Sequence, residues 1–210
     1  MLRPWRREAR LLMHGPLTAL GQAMRALARG TRCRIIVSNA LARYALVPFS
    51  TAVIGREADE ALAAHVFRGT HGERAEGWRI RVAPAPRGQR RIACALDAAL
   101  LEGIPAAAQE HGVRVSAIEP AWAAGFNAAY RRLPASCWFA VTEPGRLVLG
   151  LLIDGEWRQL ASERCGDDPR AALRQALLRE ATLADDPAAA RLACWVAHFA
   201  LPSPTVEVLA

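Results

Sequence analysis

Apolar residues recur along the chain in the two periods that distinguish strands from helices. Alternating or short continuous apolar runs predict strands, whereas apolar residues three or four positions apart predict helices. Up to residue 135, strands are predicted at 34–38, 43–47, 78–82, 91–95 and 113–118. Helices are predicted at 57–67, 96–110 and 120–130, the last with an aromatic stripe expected to face the core: Trp122, Phe126 and Tyr130. This order predicts an α/β fold.

The rest of the chain has a simpler pattern. Strands are predicted at 136–142, 146–153 and 156–163, followed by a helix at 170–183 and a strand at 192–199. Asp154-Gly155 between two apolar runs is a strong hairpin signal, because both residues tolerate the positive φ of a tight turn. Asp168 and Pro169 supply a cap and a first-turn proline for the helix. We therefore expect a β-β-β-α-β unit in one sheet.

Local signals refine the first part of the chain. The first two strands are predicted to pair, with Asn39 and Ala40 in the turn between them. The strands on either side of the proline-rich stretch 84–88 are predicted to form a hairpin. The stretch 69–77 contains three glycines and is predicted to be a loop, and Pro105 is expected to kink or split its helix.

The first 31 residues are predicted to be a basic amphipathic leader outside the sheet. The first 34 residues contain eight arginines and one acid, so this end supplies most of the formal net charge of +7. A helix at 16–27 would present one apolar face, which suits an acidic or apolar surface. The candidates for partner or membrane binding are Trp5, Arg6, Arg7, Arg10, Leu17, Leu20 and Met24. The alternatives are a solvated leader and a helix that packs on the domain as core.

Composition and motifs exclude several common chemistries. No apolar run approaches the roughly 20 residues of a membrane span, and a secretory signal is not expected. The chain has no lysine, which removes lysine as a phosphate ligand or general base. Five cysteines without a C-x-x-C spacing favour a reducing cytoplasm. Hydrolase, P-loop, dinucleotide and zinc-protease motifs are absent from the sequence, and no metal site is expected.

The order of elements and three segments carry a family resemblance. The segments are IIVSNALARYALVP, EADEALAAHVF and RRIACALDAALLEGIPAAAQEHGVRVSAIEP. With them the chain resembles the actin-like, ribonuclease-H-like superfamily, and within it the PilM pilus assembly proteins and the cytoplasmic domains of the GspL type II secretion proteins. The resemblance implies mixed sheets with flanking helices, in two β-β-β-α-β-type halves at 32–135 and 136–200, and a tail at 201–210.

The resemblance also indicates where a nucleotide would bind. Actin-like ATPases hold phosphates with an acidic-x-Gly turn between the first two strands of each half. The first corresponding turn contains Ser38 and Asn39, with neither an acid nor a glycine. The second keeps Glu143 and Gly145 but places between them a proline, which has no N–H to donate. The sequence also ends soon after its last predicted strand, where nucleotide-binding members continue, so no cofactor is expected.

The resemblance implies a non-catalytic platform or adaptor of a type IV pilus or type II secretion-like envelope machine. It would bind protein components of that machine at the cytoplasmic face of the inner membrane, with peripheral membrane contact and a homodimer as open alternatives. An actin-like ATPase that holds ATP at Glu143 and Asp154 is the first alternative function. A nucleic-acid-binding protein that uses the Arg-rich leader is the second, although no aromatic-basic surface motif supports it.

Overall fold

A computed structural model describes residues 8–166, 168–184, 186–198 and 205–209 as a mixed α/β fold, as predicted. Its strands are β1 (Glu8–Met13), β2 (Arg32–Val37), β3 (Arg43–Val47), β4 (Trp78–Val82), β5 (Arg91–Asp97), β6 (Arg114–Pro120), β7 (Cys137–Glu143), β8 (Arg146–Ile153), β9 (Glu156–Arg164), β10 (Cys194–His198) and β11 (Thr205–Leu209). Its α-helices are α1 (Leu17–Arg25), α2 (Arg56–His71), α3 (Ala98–Glu110), α4 (Ala121–Ala129) and α5 (Pro169–Leu183). The strands form sheets of order β1-β2-β6, β3-β5-β4 and β11-β10-β7-β8-β9.

The first sheet is parallel and includes residues that the sequence pattern assigned to the leader. β1 pairs with one edge of β2, with Met13 opposite Val37, and β6 pairs with the other edge. α1 packs against β1 and α3, with Leu20 4% and Met24 0% exposed. The prediction of a separate leader at 1–31 is therefore wrong, because residues 8–25 belong to the core of the first half.

The apolar face of α1 packs against α3, inside the domain, although its sequence pattern also fits a helix outside the sheet. A Cβ built on Gly103 of α3 would lie 2.2 Å from Leu17 Cδ1, so this glycine makes room for the leucine. An amphipathic helix has the same sequence pattern whether its apolar face meets a partner or its own domain. Leu17, Leu20 and Met24 were predicted to bind a partner, and instead they pack inside the chain.

The small second sheet corrects two local predictions. β2 and β3 lie in different sheets and do not pair, whereas β4 and β5 form the predicted hairpin. α2 continues to His71, and a 3-10 turn at Gly72–Gly77 follows, in place of the predicted loop at 69–77. The helix is extended because the rings of Phe67 and His71 pack against Trp78, with centroids 6.0 and 5.0 Å apart. This packing offsets the roughly 1 kcal/mol cost of a glycine inside a helix.

The second half forms the predicted β-β-β-α-β unit. β7, β8 and β9 are an antiparallel meander, and β10 returns after α5 to pair in parallel with β7. Asp154 and Gly155 both have positive φ, as the hairpin signal required. The Asp168 carboxylate accepts a 2.9 Å hydrogen bond from the Ala171 N–H, which confirms the predicted cap of α5. The predicted tail at 201–210 contains a strand, since β11 pairs antiparallel with β10.

Side chains of β7 alternate between the two faces of the five-stranded sheet. Trp138 and Ala140 pack with α5, whereas Phe139 and Val141 pack with α4. The aromatic stripe on α4 is core only in part, because Tyr130, at its end, is 64% exposed. Pro105 does not split its helix, since α3 is continuous through it.

We predict that the folding of this protein depends on α1. Met24→Ala should lower the free energy of unfolding by about 2–5 kcal/mol, because it leaves a cavity in the core of the first half. Gln22→Ala, at an exposed position of the same helix, should change it by less than about 0.5 kcal/mol. Urea unfolding monitored by circular dichroism measures both values. Equal stability of the two variants would contradict the placement of α1 in the core.

Candidate functional site

The carboxyl ends of parallel strands from both halves meet at one place. β2, which lies between β1 and β6, ends beside the end of β7, which pairs in parallel with β10. Ligand sites of α/β proteins lie at the carboxyl ends of such strands. Ser38, Asn39, Thr142 and Glu143 are four of the six buried polar or charged residues in the described part of the chain, and we call this cluster the seam.

Asn39 is the centre of the seam. Its backbone N–H donates a 2.5 Å hydrogen bond to Glu143 Oε1, which joins the two halves. Its Oδ1 accepts hydrogen bonds from the Tyr44 hydroxyl at 2.5 Å and from the Trp122 N–H at 3.0 Å. Pro120 precedes α4 and offers no side-chain cap, so Asn39 supplies the missing acceptor from 83 residues away. Asn39, which is fully buried, thus ties β2, β3, α4 and β7 together through its backbone and its side chain.

Glu143 is a carboxylate buried without a full set of partners. Its side chain is 0% exposed, and its Oε2 lies 3.7 Å from Nδ1 of His14, which is 39% exposed. Burial raises the pKa of Glu143, and hydrogen bonds from Ser38 and Asn39 and the charge of Arg146 oppose that rise. Burial also lowers the pKa of His14. Both shifts favour the neutral forms, so the His14 contact is a weak ion pair.

Several polar atoms at the seam lack hydrogen-bond partners. Asn39 Nδ2, Glu143 Oε2 and Arg146 Nε are three of the five buried side-chain atoms in this condition among the described residues. A buried polar group without a partner costs about 1–3 kcal/mol, and native proteins contain few of them. Their concentration here marks the seam as the candidate functional site.

The seam rests on a cluster of aromatic side chains. The ring of Trp122 lies 4.9 Å from Phe139 and 5.5 Å from Trp157, measured between centroids. Gly150 of β8 permits this approach, because a Cβ there would lie 2.7 Å from Trp157 and 2.9 Å from Trp122. The cluster excludes water from one side of the seam and holds the start of α4 against the five-stranded sheet.

The structure brings together only some of the predicted phosphate-turn residues. Ser38, Asn39 and Glu143 meet at the seam, and Gly145 forms the adjacent turn with φ of +77°. Asp154 does not join them. It follows the far end of β8, eight residues of strand from the Glu143 turn, which is about 25 Å. Glu143 and Asp154 therefore cannot hold one nucleotide together, which corrects the site predicted for the ATPase alternative.

Among the described residues, the seam contains neither a cluster of metal-ligating side chains nor an activated thiol. In the part of the chain that the structure describes, no three His, Cys, Asp or Glu residues are placed to hold a metal ion. Cys165 lies beside the seam, and its Sγ contacts the Glu143 carbonyl at 3.6 Å. Burial raises the pKa of this thiol, which disfavours the reactive thiolate.

Sequence reasoning identified the two turns and missed the residues around them. His14, Tyr44, Trp122 and Arg146 contribute contacts that no motif indicated. One signal was available, because Glu143 directly follows the apolar run WFAVT. An acid at the end of a buried strand has to find a donor inside the protein.

The predicted partner-binding residues do not form one surface. Leu20 and Met24 are core and Leu17 is half-buried, whereas Arg10 on β1 is exposed. The remaining three candidates, Trp5, Arg6 and Arg7, lie outside the described residues.

Comparisons with known proteins support the fold. No family model and no curated protein matches the chain. The structure is similar to the cytoplasmic domain of EpsL, an inner membrane component of the type II secretion system of Vibrio cholerae, with a TM-score of 0.52 and 11% identity over 70% of this chain and 56% of that chain. It is also similar to a chain of the PilM-PilN type IV pilus biogenesis complex, with a TM-score of 0.53 and 18% identity over 82% of this chain and 55% of that chain.

A third solved structure is a protein of actin-like ATPase fold and unknown function from Bacteroides thetaiotaomicron. It has a TM-score of 0.49 and 12% identity, over 80% of this chain and 62% of that chain. The predicted resemblance to PilM and GspL is confirmed at the level of the fold by the EpsL and PilM-PilN structures. The chain spans little more than half the length of each of those two relatives. Among the helices that the structure describes, none is long and apolar enough to span a membrane.

The buried carboxylate of Glu143 should make stability depend on pH. Because its pKa is raised on folding, the folded protein binds more protons than the unfolded chain between the ordinary and the raised pKa, so stability should fall as pH rises through that window. Glu143→Gln keeps an acceptor for the Asn39 N–H and has no charge to bury. Relative to the original protein, it should gain stability as pH rises from about 5 to 8.

Urea unfolding across that pH range measures the difference. Glu143→Ala is the matched control, and it should be about 1–3 kcal/mol less stable than Glu143→Gln because the Asn39 N–H loses its acceptor. Burial lowers the pKa of His14, so its titration should make stability rise with pH, opposite to the effect of Glu143. The comparison is therefore repeated in a His14→Gln background. A pH dependence identical with and without the Glu143 carboxylate would show that it does not titrate in this window.

Proposed function

We propose that this protein is a non-catalytic platform or adaptor of a type IV pilus or type II secretion-like envelope machine. It binds protein components of that machine at the cytoplasmic face of the inner membrane. The fold supports this proposal, since one similar structure belongs to an inner membrane component of a secretion system and another to a pilus biogenesis complex. Both relatives are named for assemblies rather than for a reaction.

The hydrogen bond from Asn39 N–H to Glu143 carries the non-catalytic part of the proposal. In a phosphate-binding turn the backbone N–H groups point at the anion. Here the N–H of Asn39 is already bound to a carboxylate from the other half, at 2.5 Å. A phosphate at the same place would displace this acceptor and leave the buried Glu143 carboxyl without its donor, which costs about 1–3 kcal/mol.

The backbone of the first turn supports the same conclusion. Anion-binding nests need successive residues of right-handed and left-handed conformation. Outside glycine, Asp154 is the only residue with positive φ in the described chain, so the turn at 38–40 has no left-handed residue. The chain also has no lysine to reach a phosphate.

We expect no saturable binding of ATP in the micromolar range, with or without Mg²⁺. Isothermal titration of the full chain measures it, and ATP hydrolysis should stay at background. Glu143→Ala is the informative variant, because it removes the carboxylate that occupies the Asn39 N–H. ATP binding that appears only in Glu143→Ala would support the proposal that the Glu143 side chain blocks the phosphate position. A 1:1 titration of the original protein that Glu143→Ala abolishes would establish the ATPase alternative.

Deletion of the gene in its source organism should abolish surface pili or the secreted proteins of the machine. Complementation with the original protein should restore them, and so should complementation with Glu143→Gln, since the seam has no catalytic role in the proposal. Sheared pili and secreted protein are measured by immunoblot. Normal pili and normal secretion in the deletion strain would rule out the assigned machine.

A further inference from the structure

Among the described helices, α5 alone packs on the face of the five-stranded sheet that contains Trp138 and Ala140, which we call the outer face, and this face is wider than one helix. Five strands spaced about 4.8 Å apart extend over about 19 Å between the outermost strands, whereas a helix with its side chains is about 10–12 Å across. α5 packs mainly against β7 and β8. The described helices therefore leave part of this face beside α5 open.

Polar contacts hold α5 towards β9. Gln159 of β9 donates a 2.5 Å hydrogen bond to Glu180 Oε2, and Arg179 pairs with Glu163 at 2.6 Å. The opposite flank of α5 faces β10. A groove lies on that flank, between α5 and the 3-10 turn at Ala189–Arg191.

This groove is apolar and preformed. Its volume is about 390 Å³, and its apolar lining includes Trp138, Leu177, Ala181, Ala189, Leu192 and Cys194. The Trp138 indole donates a 2.8 Å hydrogen bond to the Ala189 carbonyl, which fixes the floor to the far wall. Leu178 lines the groove and is 73% exposed. A rigid apolar groove with an exposed leucine at its edge loses little entropy when a partner binds.

The charged side chains around the groove indicate the charge of the partner that it would bind. Arg174 lines the groove, and Arg191 lies on the 3-10 turn that forms its wall. Both are exposed, and neither has an ion pair with an acid among the described residues, in contrast to Arg179. Two arginines that are unpaired within the described residues and lie beside apolar surface favour an acidic partner.

The sheet beside the groove determines the form of that partner. β10 is paired on one edge with β7 and on the other with β11, so it offers no free backbone groups to an added strand. Recognition has to come from side chains, and a helix satisfies its own backbone hydrogen bonds.

We infer that this groove binds an acidic amphipathic helix of a partner protein. The helix lies alongside α5, places apolar side chains spaced three or four residues apart over Leu178, and pairs its acids with Arg174 and Arg191. This inference rests on the proposed adaptor function, and it replaces the predicted leader as the partner-binding surface. No local pattern indicates this groove, because Leu177 and Leu178 of α5 are the same residue type and only the fold decides which side chain is exposed.

Two matched peptides test the groove with the full chain. Each has about 15 residues with leucines at helical spacing, and its remaining positions are Ala and Glu in one peptide, Ala and Lys in the other. Fluorescence anisotropy should show that the acidic peptide binds at least ten-fold more tightly than the basic one. Arg174→Glu combined with Arg191→Glu should reverse this preference.

Leu178→Gln should weaken the acidic peptide at least ten-fold, and Ile54→Gln should not. Ile54 is the control because it is a large apolar residue, 86% exposed, that does not line the groove. All the changed positions are exposed, and thermal melting checks that each variant folds. Failure of both peptides to bind, equal binding of both, or equal losses in the Leu178 and Ile54 variants would overturn the inference.

The outcomes separate this inference from the proposed function. If neither peptide binds while the deletion strain loses pili or secretion, the proposed helix-binding groove is wrong and the adaptor function stands. If the acidic peptide binds as expected while the deletion strain is normal, the groove is a binding site and the assigned machine is wrong.

Discussion

The two halves of this protein are joined by a buried hydrogen bond from the backbone of Asn39 to the carboxylate of Glu143. The other features of the seam depend on it. The Asn39 side chain can accept from Tyr44 and from the start of α4 because its backbone is held at the end of β2. The aromatic cluster then packs between α4 and the five-stranded sheet. This polar contact thus helps to hold together elements that are far apart in sequence.

A closed seam has an energetic cost and a functional consequence. Burial of the Glu143 carboxylate raises its pKa, and its second oxygen lacks a hydrogen-bond partner in the described chain. Replacing buried ionic groups by nonpolar residues is often neutral or stabilising, so this contact is not by itself a source of stability. It occupies the donor that a phosphate would need. In the proposed adaptor function, this leaves the binding of partners to the outer surfaces.

The secondary structure of the second half could be predicted from sequence alone, because it depends on residues that are close together in the chain. The Asp154-Gly155 hairpin, the Asp168 cap and the continuous apolar strands of the meander depend on neighbours within a few residues, which a pattern can report. The order of elements was also sufficient to indicate the fold, although no family model matches the chain. Two of the phosphate-turn residues, Asn39 and Glu143, were identified as candidates, but their contact was not.

Only the tertiary structure decided which surfaces those local elements meet. The helix with Leu20 and Met24 was expected outside the sheet and lies in the core, and β2 and β3 were expected to pair and lie in separate sheets. The bond between Asn39 and Glu143 spans 104 residues, and no local period reports such a pair. Amphipathic spacing shows that a face is buried, because water excludes apolar side chains wherever they find cover. It does not show what provides the cover, since the hydrophobic effect is not directional.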